Sequence, residues 1–418
     1  MTIRNVLSSV LSAALLCACA QSAPPEAAPA LTVDAWSLPA PEGSAQPDLV
    51  QAADGALLLG WIRRLEQGHA LEMARLSQGA WGDVRRIAEG QRWFVNWADT
   101  PHLVSLPDGS LWAHWLQRSG DGPYDYGIAL VRSADDGATW DALPSVHPTD
   151  RPLDFGFVSL WAAADDRLGI AWLDSRNKSV EAGHDHHGGH GDDDGAMALF
   201  ATEVSAEGLV ARSRELDAST CDCCQTAVAR SGEVTLLAYR SRREGEIRDI
   251  EVVRETGAGW EEPRLVHADG WRIPGCPVNG PAIAAHGDHA WVAWYSEDQG
   301  EPVVRLARSE DAGRTFHTPL EWRRGTTQLG RVAVAADADA VWWAWMEEAS
   351  GQQSVWVARG GYGLATDHIQ AVRVAPVTAS GRASGFPRLQ LVDGIAHLVW
   401  TDVVDGRPRL SGARIQAQ

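Results

Sequence analysis

The sequence predicts an all-β chain folded as a β-propeller. Three observations carry that expectation: a recurring strand that ends in an aromatic residue, a near-constant interval between recurrences, and turn residues, often Asp-Gly, ahead of it. Seven segments share the pattern: ALLLGW to Trp61, SLWAHW to Trp115, RLGIAW to Trp172, VTLLAY to Tyr239, HAWVAW to Trp294, AVWWAW to Trp345 and IAHLVW to Trp400. By subtraction the aromatics are 54, 57, 67, 55, 51 and 55 residues apart, and the long interval holds a single insertion.

Each unit has room for four short strands, because the aromatic strand is followed by another apolar stretch such as residues 127–133 or 302–309. One twisted four-stranded sheet cannot bury both its faces, so units at a fixed period pack radially as blades. The recurring aromatics are therefore expected between blades and not in ligand contacts. Seven blades are favoured over six. The last unit stops soon after residues 408–415, one strand short, while residues 30–36 form an unassigned strand at the other end; pairing the two would close the ring and remove exposed edges.

Ahead of that strand lie Arg4, an apolar run over residues 6–16 and the tetrad Leu16-Cys17-Ala18-Cys19. The run is too short to span a bilayer and reads as a signal peptide. The tetrad resembles a bacterial lipobox, which implies cleavage before Cys19 and lipidation of its thiol. With no acidic residue at Ala20 or Gln21, the same resemblance implies an outer-membrane anchor, periplasmic or surface-exposed. A soluble protein cut near Ala20 is the alternative. The expected organisation is a signal peptide and lipobox at 1–19, a flexible tether at 20–30 and one propeller domain at 31–418, as a monomer with the membrane as partner through Cys19. Net charge is −19 and Lys178 is the single Lys, which argues against a nucleic-acid partner.

Two segments add a family resemblance. Ser133, Asp135, Gly137 and Trp140 in SADDGATW, and Ser309, Asp311, Gly313 and Phe316 in SEDAGRTF, follow the pattern S-x-D-x-G-x-T-W. They resemble the Asp-box, or BNR repeat, of the sialidase superfamily of propellers, and each falls just after the third strand of a unit. Asp135 and Asp311 are expected to hydrogen-bond their own turn, with Gly137 and Gly313 allowing the bend. The resemblance implies an exo-sialidase type of glycoside hydrolase, with arginines gripping an anionic sugar, a Tyr nucleophile backed by Glu, and an Asp acid/base. Arg248, Arg331 and Arg388, with Asn279, are the ligand-binding candidates on that reading, since a bidentate guanidinium suits a carboxylate. The match ends there. The Arg-Ile-Pro run at Arg272 precedes the fifth unit and not the first, and none of Tyr124, Tyr126, Tyr239, Tyr295 and Tyr362 takes a nucleophile's place. No catalytic residue is carried over.

Strands in a blade alternate in direction, so connections between blades and second-to-third-strand loops emerge on one face, and the two S-x-D turns on the other. Residues 96–101, 154–157, 221–226 and 275–281 lead into blades 2, 3, 4 and 5, and the insertion at 183–195 is the second-to-third-strand loop of blade 3. Cys221, Cys223, Cys224 and Cys276 are thus expected close together near the axis, beside His184, His186, His187 and His190.

Three chemistries fit these residues. Four thiols in an oxidising compartment would make two disulfides, or one and a pair of thiols, although vicinal Cys223 and Cys224 can bridge only in a distorted turn. As thiolates they would select copper or zinc by softness, in a spacing unlike a zinc ribbon, with the four His and Asp185, Asp192, Asp193 and Asp194 adding ligands. The His-rich tract reads equally as a solvated insertion, since such tracts bind divalent metals whatever their purpose. Redox or nucleophilic chemistry would need a nearby cation, for which Arg248 is placed. The function expected first is a soft-metal or small-ligand site; the alternatives are an exo-sialidase-type hydrolase and a disulfide-stapled binding scaffold.

Overall fold

In the computed structural model, which describes residues 30–150, 152–164, 166–178 and 195–418, seven antiparallel sheets succeed one another along the chain. Cys19, the tether to residue 29 and the four His of the insertion lie outside the described residues. The inner strands are Ser44–Gln51, Leu103–Ser105, Phe155–Ala164, Ala227–Ser231, Ala282–His286, Gln328–Ala336 and Arg388–Val392. Each pairs outward with an aromatic strand: Leu57–Arg64, Leu111–Arg118, Arg167–Asp174, Val234–Arg240, His289–Ser296, Val341–Ala349 or Ile395–Val404. In blades 1 and 4 the outermost strand is split into two short pieces on one neighbour, Ala80–Trp81 and Arg85–Gly90 against His69–Ser77, and Gly259–Trp260 and Arg264–Leu265 against Ile250–Thr256. Blade 7 takes its outermost strand from the other end of the chain. Leu31–Ala35 pairs antiparallel with Arg407–Ala417, from Leu31 opposite Ala417 to Ala35 opposite Ala413. No helix of the described residues is long and apolar enough to cross a membrane.

The apolar face of every blade is buried against its neighbour. Trp112, Phe155, Ile170 and Trp172 join blades 2 and 3, Trp291, Trp343 and Trp345 join blades 5 and 6, and Trp61 packs with Val399 and Leu410 across the closure. Of the seven recurring aromatics only Trp115 is partly exposed, and it stacks on Trp93 at 5.2 Å. A buried indole or phenol usually finds a partner for its polar tip, although Trp400 Nε1 has none among the described residues. Trp61 Nε1 donates to Glu72 (3.1 Å), Trp172 to Asp174 (2.8 Å), Tyr239 Oη to Asp217 and Glu251, Trp294 to Asp269 (2.7 Å) and Trp345 to Glu347 (2.8 Å). Five of these six acceptors are in turn neutralised by arginine, through Arg63–Glu72, Arg176–Asp174, Arg243 with Asp217 and Glu251, and Arg305–Asp269. An aromatic–carboxylate–arginine peg thus recurs around the ring.

Two local devices shape the faces. The inner strands of blades 1, 3 and 6 carry bulges at Gln46, Phe157 and Arg331, whose φ values are +56°, +51° and +51°. A bulge kinks a strand and re-aims its side chains, here at the axial rim. On the opposite face the S-x-D turns form equivalent networks. Asp135 accepts from Ser133 Oγ (2.8 Å), Thr139 N–H (2.8 Å) and Thr139 Oγ1 (2.6 Å), while Gly137 N–H donates to Ser133 Oγ (2.8 Å). Asp311, Ser309, Thr315 and Gly313 repeat these contacts, and Phe316 follows at the edge of the blade 4–5 core. Gly137 and Gly313 adopt φ of +82° and +74°, and Trp140 donates to Gly137 O (3.2 Å).

Candidate metal centre

The segments leading into successive blades lock together over the axis. Phe157 N–H donates to Asp99 (2.8 Å), Gln225 Nε2 to Ala98 O (2.9 Å), and Gly280 N–H to Gln225 Oε1 (2.9 Å). Farther round, Arg331 N–H donates to Asn279 Oδ1 (2.9 Å), and Trp97 stacks on Phe386 with centroids 5.5 Å apart. A Cβ on Gly280 would lie 2.1 Å from Gln225 O, so only glycine permits this approach. Beneath lies an axial cavity of about 220 Å³, lined by inner strands and by Asp48, His102, Gln225 and Arg388.

The thiols gather where blades 3, 4 and 5 meet this plug. Cys221 follows the outermost strand of blade 3, Arg214–Thr220, and its N–H donates to Arg240 O (2.9 Å). The Sγ atoms of Cys221, Cys223 and Cys224 all lie within 4.8 Å of one another, with Cys221 and Cys223 at 3.8 Å. Cys221 and Cys224 are buried, Cys223 is half-buried, and these three are free thiols. Exposed Cys276 belongs to the segment leading into blade 5, whose Gly280 N–H donates to Gln225 of the segment that carries the other three cysteines.

Two buried guanidinium groups flank the sulfurs. Arg248 Nη1 donates to Cys221 Sγ at 3.4 Å, and Nη2 to Glu246 at 2.6 Å. Arg240 donates to the backbone carbonyls of Asn279, Arg248 and Tyr295 and lies over Trp271 at 4.9 Å, with no ion pair among the described residues. Burial opposes ionisation of Cys221, but hydrogen bonds from Cys223 and Cys224 and the Arg248 charge outweigh it and hold this thiol well below the usual range. Hydrogen bonds to Cys221 and Cys224 push Cys223 up, and burial pushes Cys224 up.

The insertion of blade 3 is rooted beside them. Lys178 Nζ pairs with Asp222, which also accepts from Met197 N–H (3.1 Å), and Arg242 donates to Gly195 O (3.3 Å). The described ends of the insertion therefore flank the Cys-x-Cys-Cys run.

The candidate arginines share no acceptor. Arg248 is engaged as above. Arg331 donates to Ser384 Oγ and to Gly381 O (2.8 Å), and burial lowers its pKa to about 10. Arg388 donates to Thr100 (2.9 Å) and Pro47 O (3.2 Å), and Asn279 also donates to Leu329 O (3.2 Å). Tyr126 and Tyr239, each with a carboxylate partner, are 3% and 1% exposed.

Sequence reasoning passed over Arg240, Asp222 and Trp97. Arg240 was signalled by its place directly after the recurring aromatic Tyr239, and Asp222 by sitting inside the cysteine run. Trp97, which reaches across the axis to Phe386 and under Arg331 (5.2 Å), was signalled only by its place in the lead-in at 96–101.

These features define a class, a seven-bladed β-propeller with a buried thiol cluster on its axial face. No protein-family model matches the sequence, and no curated protein matches it. Among solved structures the chain is similar to a polysaccharide lyase of family PL25, an ulvan lyase (12% identity, 79% of each chain covered, TM-score 0.45). It is also similar to an α-L-arabinofuranosidase from Fusarium graminearum (11% identity, 90% of this chain and 93% of that one, TM-score 0.44). A third is Trypanosoma rangeli sialidase (13% identity, 80% of this chain and 56% of that one, TM-score 0.45). Likeness at these identities and TM-scores designates no reaction.

Proposed function

We propose that the protein binds a soft metal ion, copper(I) or zinc, through Cys221, Cys223 and Cys224, with Cys276 at the mouth of the site. The observation that supports this is the approach of three sulfurs to within 4.8 Å in a largely buried pocket. A metal about 2.3 Å from each thiolate holds neighbouring sulfurs roughly 3.8 Å apart, and Cys221 and Cys223 are 3.8 Å apart. Metal binding displaces thiol protons, and the thiolates so formed would give a counter-charge to buried Arg240, which forms no ion pair among the described residues. Copper(I) suits three soft sulfurs, and zinc would complete a tetrahedron with Cys276. His184, His186, His187 and His190 would add imidazoles, and lipidation at Cys19 would hold the site at the outer membrane.

The test is metal and thiol analysis of the chain from about residue 24 onward, purified from the periplasm. One equivalent of copper or zinc per chain is expected, lost in the Cys221→Ser and Cys224→Ser variants. A metal-free protein with its thiols oxidised overturns the proposal in favour of a stapled scaffold.

A further inference from the structure

The segment leading into blade 5 carries Asn279–Gly280, the one Asn-Gly pair in a sequence that holds four asparagines, Asn5, Asn96, Asn177 and Asn279. Both residues are dictated by their contacts. Gly280 is required where its backbone crosses that of Gln225, since a Cβ would lie 2.1 Å from Gln225 O. The Asn279 carboxamide has to accept and donate at once: Oδ1 accepts from Arg331 N–H (2.9 Å) and Nδ2 donates to Leu329 O (3.2 Å). The seat is close-fitting, because a Cβ on Gly330 would stand 2.7 Å from Oδ1. A carboxylate in that seat would face the Leu329 carbonyl with no proton to give.

An Asn-Gly pair is also where a main chain most readily attacks its own side chain, because glycine has no Cβ to hinder the approach and leaves the backbone free to turn. The Gly280 nitrogen gives its proton to solvent base and bonds to Asn279 Cγ, while the Cγ–Nδ2 bond breaks and ammonia leaves. Water then opens the cyclic imide at either carbonyl, giving an aspartyl or an isoaspartyl residue. The folded chain restrains every participant. Gly280 N–H is donated to Gln225 Oε1 (2.9 Å), the carboxamide is held at both ends, and Asn279 O accepts from Arg240 Nε (3.0 Å) and Nη2 (2.8 Å). Gln225 is itself anchored across the axis, Nε2 to Ala98 O (2.9 Å). Val278, one residue earlier, is held at φ +48°, where a β-branched residue is strained, so these bonds hold the segment against its own backbone preference.

We propose that Asn279–Gly280 is a self-modification site that the axial plug keeps latent, with Gln225 guarding the nucleophilic nitrogen. Attack requires the plug to open locally, and its product prevents the plug from closing. An aspartyl side chain is repelled by Leu329 O, and an isoaspartyl link lengthens the main chain by a methylene and carries Gly280 out of register with Gln225. An opening that leads to reaction is thereby made permanent, and the lead-in that bears Cys276 is released from the rest of the axial face. The inference is independent of the metal reading.

The test incubates the full mature chain at neutral pH, digests it in mild acid and follows the peptide spanning Asn279 by mass spectrometry, beside a synthetic peptide of residues 275–281 as the unrestrained reference. The native chain is expected to convert at least roughly a hundredfold more slowly than the peptide, since only the locally opened fraction reacts. Gln225→Ala is expected to convert at least roughly tenfold faster than wild type, because it removes the bonds to both Gly280 and Ala98. Wild type in sub-denaturing urea, with its far-ultraviolet spectrum still native, should also convert faster as urea rises, which keeps the test clear of any folding defect in the variant. Asn279→Asp, made directly, should melt below wild type. Conversion of the native chain at the peptide's rate overturns the guard, as does a Gln225→Ala rate equal to that of wild type or a rate indifferent to urea. An Asn279→Asp chain as stable as wild type overturns the release of the plug.

Discussion

Arg305 is 3% exposed, and it pairs with fully buried Asp269 as well as with Asp298 and Glu321. Removing one partner of a buried pair leaves an uncompensated charge, so Arg305→Ala is expected to cost about 3–5 kcal/mol in urea unfolding, far more than a surface arginine. A cost under about 1 kcal/mol would show that solvent reaches Asp269. Asp154 carries charge of the opposite kind. Burial, only partly offset by the Tyr126 hydrogen bond and Lys178 and reinforced by Asp222 and Asp174, raises its carboxyl pKa to about 6. A carboxyl whose folded pKa is raised binds its proton more tightly folded than unfolded. The stabilisation is complete below about pH 4 and lost as pH rises through about 6. Thermal unfolding should accordingly show wild type losing stability across that window relative to Asp154→Asn, whose side chain does not titrate; parallel profiles would refute the assignment. Neither residue's role was legible in the sequence, because each depends on which carboxylates the sheet register brings opposite one arginine or one buried acid.

The S-x-D turns and the lead-in segments are the elements that divide structural from chemical work. Side-chain and backbone hydrogen bonds from Thr139 and one from Ser133 lower the Asp135 pKa to about 2. A lowered folded pKa means that this turn stabilises the fold above about pH 4 and ceases to as pH falls through about 2. Asp135→Ala should therefore lower the melting temperature at neutral pH, with the deficit shrinking toward pH 2, and leave metal content and thiol reactivity unchanged; altered metal content would show that the two faces are coupled. These elements were readable in advance because their signal is local, four residue types at fixed spacing. That residues 275–281 lie beside the segment carrying the Cys-x-Cys-Cys run was readable from strand counting, since blade order places loops before any side chain is known. The plug that holds them was not, because Trp97, Gln225 and Asn279 bond across the axis to partners on other blades. Periodicity carries no information about contacts made between repeats.

At the scale of the whole molecule, the seven aromatic recurrences were enough to read the ring, since each recurrence is one blade and the period fixes their number. Its closure rests on five residue pairs between Leu31–Ala35 and the last strand. Deleting residues 30–35 should lower the melting temperature and increase self-association by light scattering, as the strand carrying Ala413 and Ile415 becomes an open edge. A truncated chain as stable and monodisperse as the full one would place the closure in side-chain packing alone. The same pairing orders events during synthesis. Leu31 leaves the ribosome nearly the whole chain ahead of Ala417, so the earliest strand made is the last that can be seated, and it waits while every other blade forms. Contacts of such sequence separation are slow to find. Until residues 407–417 have emerged, Leu31–Ala35 has no strand to pair with, and a chaperone or protease meeting the nascent chain would find that strand unpaired.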